Sequence, residues 1–190
     1  MAAFVLLVAT VPLLHAGSPV DELPDLTGGV IPLLTLADTL GGQLFAGGKL
    51  SSRGDVRYLV RVKNQSGDPI EADSLVVVVH KIHEVPRARL RDVTDRVEIV
   101  GSDGETDDGK PYFRVPLDGK PELAPYSESE AFTLEILNPD LLRLYPPVLR
   151  VRGLRRTASH VYQEAMQNLV NQGTITPEQA LEAVESAESY

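Results

Sequence analysis

An alternation of apolar and basic residues, "VRYLVRVKN" at positions 56–64, constrains the fold of this chain more than any other feature. The apolar side chains of one parity are Val56, Tyr58, Val60 and Val62. The other parity carries Arg57, Arg61 and Lys63, with Leu59 as the exception. Successive side chains of a strand point to opposite faces, so a period of two predicts a β-strand with one buried and one solvated face.

A continuous apolar run, "SLVVVVHKI" at positions 74–82, predicts a different kind of strand. Its valines lose rotamer freedom in a helix, and a run without alternation is typical of a central strand covered on both faces. Shorter strands are predicted at 30–36, 96–100, 112–117, 130–137 and 147–154. Short strands separated by turn signals predict a mainly β protein, with an antiparallel β-sandwich over residues 43–156.

Residues 157–190 contain no Lys or Arg and change to a helical period. One helical face is formed by Val161, Ala165, Met166, Leu169 and Val170. Gly173 is placed to end this helix. Thr176, Pro177 and Gln179 then have the spacing of a capping box with proline at the first helical position. The sequence therefore predicts a C-terminal helical hairpin outside the sandwich.

The cellular location of the protein is predicted from the first residues of the sequence. The apolar run from Ala2 to Leu14 is too short to span a bilayer and has the length of the hydrophobic region of a signal peptide. Residues 1–16 are therefore predicted to be a signal peptide cleaved after Ala16, which makes the protein secreted or periplasmic. No Lys or Arg precedes the run, so a buried strand or helix is the alternative. Residues 17–42 are predicted to be a linker or a first strand.

Composition narrows the classes of function. The net charge is −9 and the isoelectric point is about 4.9, so the chain lacks the basic surface that binding to nucleic acid requires. The absence of cysteine excludes disulfides, thiolate metal sites and cysteine nucleophiles. A hydrophobic content of 43% is sufficient to build a core.

The stretch "GSDGETDDGKPYF" at 101–113 places four carboxylates among glycines, and these are the candidate ligands of a calcium ion: Asp103, Glu105, Asp107 and Asp108. An EF-hand loop that begins at Asp103 needs glycine at its sixth position and glutamate at its twelfth. This chain has Asp108 and Arg114 at those positions, so that register is excluded. A calcium site with irregular ligands and a turn between strands are both consistent with the stretch. The turn accounts for more residues, because Gly and Asp favour turns and Pro111 restricts the start of the next strand. No other cofactor is predicted.

Two further motifs have simple structural interpretations. Arg53-Gly54-Asp55 is the tripeptide of integrin ligands, but Gly54 lies between two predicted strands and suits a hairpin turn. His80 and His83 are three residues apart on a strand, so they point to opposite faces and cannot share a metal ion without a bulge.

Five arginines cluster near the final predicted strand: Arg143, Arg150, Arg152, Arg155 and Arg156. They are interpreted either as a solvated strand face or as partners of the acidic C-terminal tail. The charged residues of that tail are Glu164, Glu178, Glu182, Glu185 and Glu188. Exposed pairs of this kind would each contribute about 0.5 kcal/mol.

Several short motifs resemble the immunoglobulin-like and fibronectin type III-like modules of exported bacterial proteins. The matching residues are Asn64, Ser66 and Gly67; Asp103, Gly104, Thr106, Gly109, Pro111 and Tyr112; Leu123 and Pro125; and Asn138 and Pro139. Tyr126 departs from the glycine that the pattern prefers. The resemblance implies an immunoglobulin-like β-sandwich and leaves the activity open, because such modules host many roles.

The tail is similar to SHOCT-type helical hairpins through Gly173, Ile175, Thr176, Glu178 and Gln179. That similarity implies self-association or docking through the hairpin. Together these features predict a non-catalytic, exported binding or structural module that recognises a protein or cell-surface partner through loops or sheet faces. The alternatives are a calcium- or carbohydrate-binding accessory module and an uncharacterised enzyme. Carbohydrate binding is disfavoured by the absence of Trp, and no catalytic motif nominates an enzyme.

Overall fold

The computed structural model describes residues 19–39, 43–46, 49–85, 90–156 and 158–188. The predicted signal peptide, residues 1–16, lies outside this part of the chain. The described residues form antiparallel sheets followed by two helices, so the predicted mainly β class with a C-terminal helical hairpin is confirmed.

In chain order, the strands of the described residues are β1 (Val30–Thr39), β2 (Gln43–Ala46), β3 (Lys49–Arg53), β4 (Val56–Asn64), β5 (Ile70–Glu71), β6 (Val76–Lys81), β7 (His83–Glu84), β8 (Arg91–Asp92), β9 (Glu98–Val100), β10 (Gly104–Glu105), β11 (Pro111–Arg114), β12 (Glu122–Leu123), β13 (Phe132–Leu137), β14 (Arg143–Leu144) and β15 (Val148–Arg152). The helices are α1 (Ala158–Asn171) and α2 (Pro177–Glu188). Single-turn 3-10 helices cover Ala72–Ser74 and Thr94–Arg96.

Two four-stranded sheets form the body of the molecule. The first sheet has the order β1-β4-β13-β9 and the second has the order β10-β11-β6-β15. Smaller sheets have the orders β12-β5 and β2-β3-β14-β7-β8. The strands β9 and β10 are therefore edge strands of different sheets, although only residues 101–103 separate them along the chain.

The alternation in β4 appears in the structure as predicted. Val56, Val60 and Val62 are buried, whereas Arg57 and Arg61 on the opposite parity are exposed. β4 lies inside the first sheet, paired with β1 and β13, so its apolar face is covered by the second sheet and its basic face meets solvent.

The valine run of β6 is buried on both faces, as its lack of alternation predicts. Val77 and Val79 belong to the main hydrophobic core together with Val60 of β4 and Leu134 of β13, so the two sheets share one core. Val76 and Val78 face away from that core and join a second cluster that contains Val20. An element from near the start of the described chain therefore covers the outer face of the second sheet.

That element is residues 19–29, which we call the strap. The sequence predicts residues 17–42 to be a linker or a first strand, and β1 begins only at Val30. The strap runs beside the free edge of β15, where the N–H of Leu26 donates to the carbonyl of Val151 at 2.8 Å. A bridge also pairs Asp25 with Arg152. The strap is therefore a packed element that covers one edge and one face of the second sheet.

The helical hairpin is built as its capping residues predict. Gly173 has φ = +69°, a conformation that favours glycine, and ends α1. The N–H of Thr176 donates to the side-chain oxygen of Gln179 at 2.9 Å, and the N–H of Gln179 donates to the hydroxyl of Thr176 at 3.3 Å. This reciprocal pair is a capping box. No helix of the described residues is long and apolar enough to cross a membrane.

Candidate functional site

The acidic stretch 101–113 forms the hairpin β10–β11 and its turn. Thr106 is the buried centre of the turn: its N–H donates to the carbonyl of Lys110 at 2.9 Å, and its hydroxyl donates to Asp108 at 2.6 Å. The N–H of Lys110 returns a bond to that hydroxyl at 3.0 Å, and Gly109 adopts φ = +70°. The turn, which we define as residues 105–110, is therefore held as a unit by short-range hydrogen bonds.

Two carboxylates of this stretch are used within the hairpin. Asp103 accepts the N–H of Arg114 at 2.7 Å. Asp108 accepts the Thr106 hydroxyl and forms an ion pair with Lys110, and the hydrogen bond from Lys110, followed by that from Thr106, lowers its pKa. Asp108 therefore remains charged at neutral pH.

The four predicted calcium ligands do not converge in the structure. Within the described ranges, no three His, Asp or Glu side chains are grouped so that they could hold a metal ion. The calcium prediction for Asp103, Glu105, Asp107 and Asp108 therefore depends on the acidity of the stretch. The thermal stability of the protein with and without calcium tests it.

A groove of about 520 Å³ lies beside this hairpin, where the edge strands of the two sheets approach each other. One wall is formed by Glu105, Asp108 and Lys110 of the turn with the end of β6. The other wall is formed by the loop before β9 and by β9 itself, through Asp95 and Glu98. The groove thus contains residues that are distant in sequence and belong to both sheets.

The loop that forms the second wall is hydrogen-bonded to the residue that follows β6. Asp92 accepts the N–H of Thr94 at 3.1 Å and its hydroxyl at 2.6 Å, and the hydrogen bond from that side chain lowers the pKa of Asp92. The same Thr94 hydroxyl accepts the N–H of buried Ile82 at 2.8 Å. Asp95 is therefore presented from an ordered loop and Glu98 from the start of β9.

His80 lines the groove at the end of β6. Partial burial, followed by the positive charges of Arg150, Lys110 and Lys81, lowers its pKa, so the ring is neutral at pH 7. His83 lies in β7, beyond buried Ile82, and does not line the groove.

The Arg53-Gly54-Asp55 tripeptide forms the turn between β3 and β4, and its polar groups are used within the fold. The carboxylate of Asp55 accepts the N–H of Asn138 at 2.7 Å, and the carbonyl of Gly54 accepts the Asn138 side-chain amide at 3.2 Å. The guanidinium of Arg53 donates to the carbonyl of Leu141 at 3.2 Å. The tripeptide is therefore part of a structural clasp with residues 138–142.

The arginines near the last strand bind acidic residues mainly outside the tail. Arg152 contacts Asp21 at 2.9 Å, Arg150 contacts Asp25 at 3.3 Å and Arg155 contacts Asp68 at 3.7 Å. Arg156 contacts both Glu122 and Glu164. In the part of the chain that the structure describes, Arg156 is therefore paired with the tail through Glu164, whereas Arg150 and Arg152 are paired with the strap and Arg155 with a loop.

Sequence reasoning did not identify the groove. His80 and Glu98 belong to two different predicted strands, Asp92 and Asp95 lie between those strands, and no spacing in the sequence brings the four residues together. The available signal was weak: two short strands separated by the glycine-containing turn 101–103 can belong to different sheets and leave an open corner between them.

Comparison with protein families, with curated proteins and with solved structures finds no match to this chain. The immunoglobulin-like, fibronectin type III-like and SHOCT-like resemblances therefore stay predictions, and the geometry of the groove is the basis for the function proposed next.

Proposed function

We propose that the protein is an exported, non-catalytic binding module and that the groove between β9 and the β10–β11 hairpin is its recognition site. The observation that carries the proposal is the groove itself. Its volume of about 520 Å³ lies within the range of roughly 300–1,000 Å³ that is usual for ligand sites. Both walls are attached to strands that belong to the core of the molecule, so the site is preformed.

The protonation states of the groove support binding over acid-base catalysis. Hydrogen bonds lower the pKa of Asp92 and Asp108, and burial lowers the pKa of His80. Efficient acid-base catalysts have a pKa near the working pH, and all three shifts move away from pH 7. Near pH 7, Asp92 and Asp108 therefore keep their charge and His80 keeps its neutral form.

The partner that fits the groove is an extended protein segment with charged side chains. Asp95 and Glu98 supply negative charge on one wall, whereas on the β6 and hairpin wall the positive charges of Lys81 and Lys110 are balanced by Glu105 and Asp108. The excess of carboxylates over lysines in the lining favours a polar peptide that presents basic side chains over an apolar small molecule. The lining from two edge strands favours an extended conformation.

Selection from a random peptide library displayed on phage, with the purified full chain as target, tests this proposal. The selected peptides should lose binding at least about tenfold to an Asp95→Lys, Glu98→Lys double variant, because two attractive contacts become repulsive. An Asp73→Lys, Glu130→Lys double variant is the matched control, since it makes the same change of net charge at two exposed positions outside the groove. Failure to select any peptide, or equal binding to both variants, would contradict the proposal.

Export is the part of this proposal that depends on residues 1–16. Their fusion to a reporter enzyme that becomes active only outside the cytoplasm provides the test. Reporter activity equal to that of a leaderless control would contradict export.

The helical hairpin favours a second contact, self-association. No described side chain between positions 162 and 184 is buried, and Leu181 and Tyr162 are 62% and 38% exposed. We propose that two hairpins pack on each other through this apolar surface. Sedimentation analysis of the full chain should show a dimer that Leu181→Glu dissociates and that Gln172→Glu, a change of equal charge at an exposed position just after α1, does not. A wild-type monomer at high micromolar concentration would contradict this contact.

A further inference from the structure

Asp21 of the strap connects two places that are far apart in the second sheet. One carboxylate oxygen accepts from the guanidinium of Arg152 at 2.9 Å, on the edge strand β15. The other oxygen accepts the backbone N–H of Asp107 at 2.6 Å, in the turn that follows β10. β15 and β10 are opposite edges of that sheet. A single side chain therefore joins the strap, one edge strand and the turn at the other edge.

The strap is anchored independently at its C-terminal half. The N–H of Leu26 donates to the carbonyl of Val151, the N–H of Val151 donates to the Thr27 hydroxyl at 3.0 Å, and the N–H of Gly153 donates to the carbonyl of Pro24 at 3.2 Å. A Cβ at Gly153 would lie 3.4 Å from the Leu26 side chain, so this contact is close-packed. Loss of the Asp21 contacts would therefore leave the remainder of the strap in place.

The turn that Asp21 holds is one wall of the groove. Glu105, Asp108 and Lys110 line the groove, and Asp107 lies between them in the chain. Because the hydrogen bonds of Thr106 make the turn a unit, a displacement of Asp107 moves the lining residues together. The contact of Asp21 with Asp107 therefore links the strap to this wall.

We infer that the strap is a latch for the groove: Asp21 fixes the turn, so that attachment of the strap and occupancy of the groove are coupled. Asp21 is a positioning residue, since it lies outside the groove and acts through the turn. By linkage, a ligand that binds only the fixed wall strengthens the strap contact by the same factor by which the strap strengthens ligand binding. The inference rests on the proposed function only in taking the groove as the ligand site.

Amide hydrogen exchange of the full chain, resolved by NMR, tests the latch without a ligand. In Asp21→Ala the amide of Asp107 should exchange at least about tenfold faster, because a charge-assisted hydrogen bond is lost. Asp25→Ala is the matched control: it removes a carboxylate from the same strap and an ion pair with Arg150, but it has no contact with the turn. Equal exchange of Asp107 in Asp21→Ala and wild type would overturn the latch, as would equal acceleration in both variants.

A second variant keeps the test decisive if Asp21→Ala does not fold. Asp21→Leu retains about the size of the side chain but has no oxygen to accept either donor. It should also accelerate exchange at Asp107, and unchanged exchange there would again overturn the latch.

Affinity measurements then test the coupling. A peptide selected on the groove should bind Asp21→Ala at least about fivefold more weakly than it binds Asp25→Ala, since the wall is no longer preorganised. Faster exchange with unchanged affinity would overturn the coupling and leave the groove as the binding site. If no peptide is selected, the proposed function fails, while the exchange experiment still decides whether Asp21 holds the turn.

Discussion

The backbone N–H of Asn138 donates to the carboxylate of Asp55 at 2.7 Å, across 83 positions of the chain. The side chain of Asn138 is fully buried and bonds in addition to the carbonyls of Gly54 and Leu142, while its oxygen accepts the N–H of Leu142 at 3.0 Å. One asparagine therefore joins the turn before β4 to the turn after β13.

Replacement of Asn138 should be strongly destabilising. Asn138→Ala leaves buried carbonyl and N–H groups without partners, so we expect the free energy of unfolding in urea to fall by about 2–4 kcal/mol. Asp55→Ala removes one acceptor at a half-buried site and should cost about 1–2 kcal/mol. Asp73→Ala, at an exposed position, is the control and should change stability by less than about 0.5 kcal/mol. A loss for Asn138→Ala no larger than that of the control would refute the clasp.

Calcium should have little effect on stability. Asp103 and Asp108 already accept internal hydrogen bonds, and the four predicted ligands do not converge. The thermal midpoint should therefore be the same with several millimolar calcium and with chelator, whereas a ligand at 100 times its Kd would add about 2.7 kcal/mol. A calcium-dependent rise that disappears in Asp103→Asn would restore the calcium-binding alternative.

Stability should depend on the protonation of His80. Burial, followed by neighbouring positive charges, lowers its pKa below the ordinary value of 6.5, so the unfolded chain binds more protons at this residue than the folded protein. The contribution of neutral His80 is fully present above pH 6.5 and is lost as pH falls from there towards the folded pKa. We therefore expect wild type to lose stability relative to His80→Gln as the pH is lowered from 7 to 5. Parallel pH profiles in urea unfolding would contradict this expectation.

The capping box of α2 should control the stability of the hairpin locally. Thr176→Ala and Gln179→Ala each remove one of two reciprocal bonds and should destabilise α2 by about 1 kcal/mol, seen as faster exchange of the amides at its first turn. Gln179→Glu retains an acceptor at the same place and should preserve protection. Unchanged exchange in Thr176→Ala would show that the box does not hold the helix end.

The elements that could be predicted depend on interactions between residues close in sequence. The period of two in β4 placed Val60 and Val62 inside and Arg61 outside, and the unbroken valines of β6 indicated burial on both faces. Gly173 and the Thr176 and Gln179 pair marked the ends of the helices, because caps act within one turn.

The groove and the strap could not be predicted in this way. Nothing near Asp21 indicates that it binds Arg152 and Asp107, which lie 131 and 86 positions away. Arg150 and Arg152 likewise pair with acidic residues of the strap, because the strap lies beside β15. The acidity of the tail gave no indication of these partners.

The sequence alone determined the class of the protein, its main strands and its helix ends, because side-chain period and capping are local properties of the chain. Only the tertiary structure decided which edges meet, that residues 101–103 carry the chain from one sheet to the other, and that the acidic turn becomes a wall of a groove. The physical reason is that strand pairing and ion pairing act between surfaces that topology brings together. Many partners are locally equivalent for such contacts, and only the packed core selects among them.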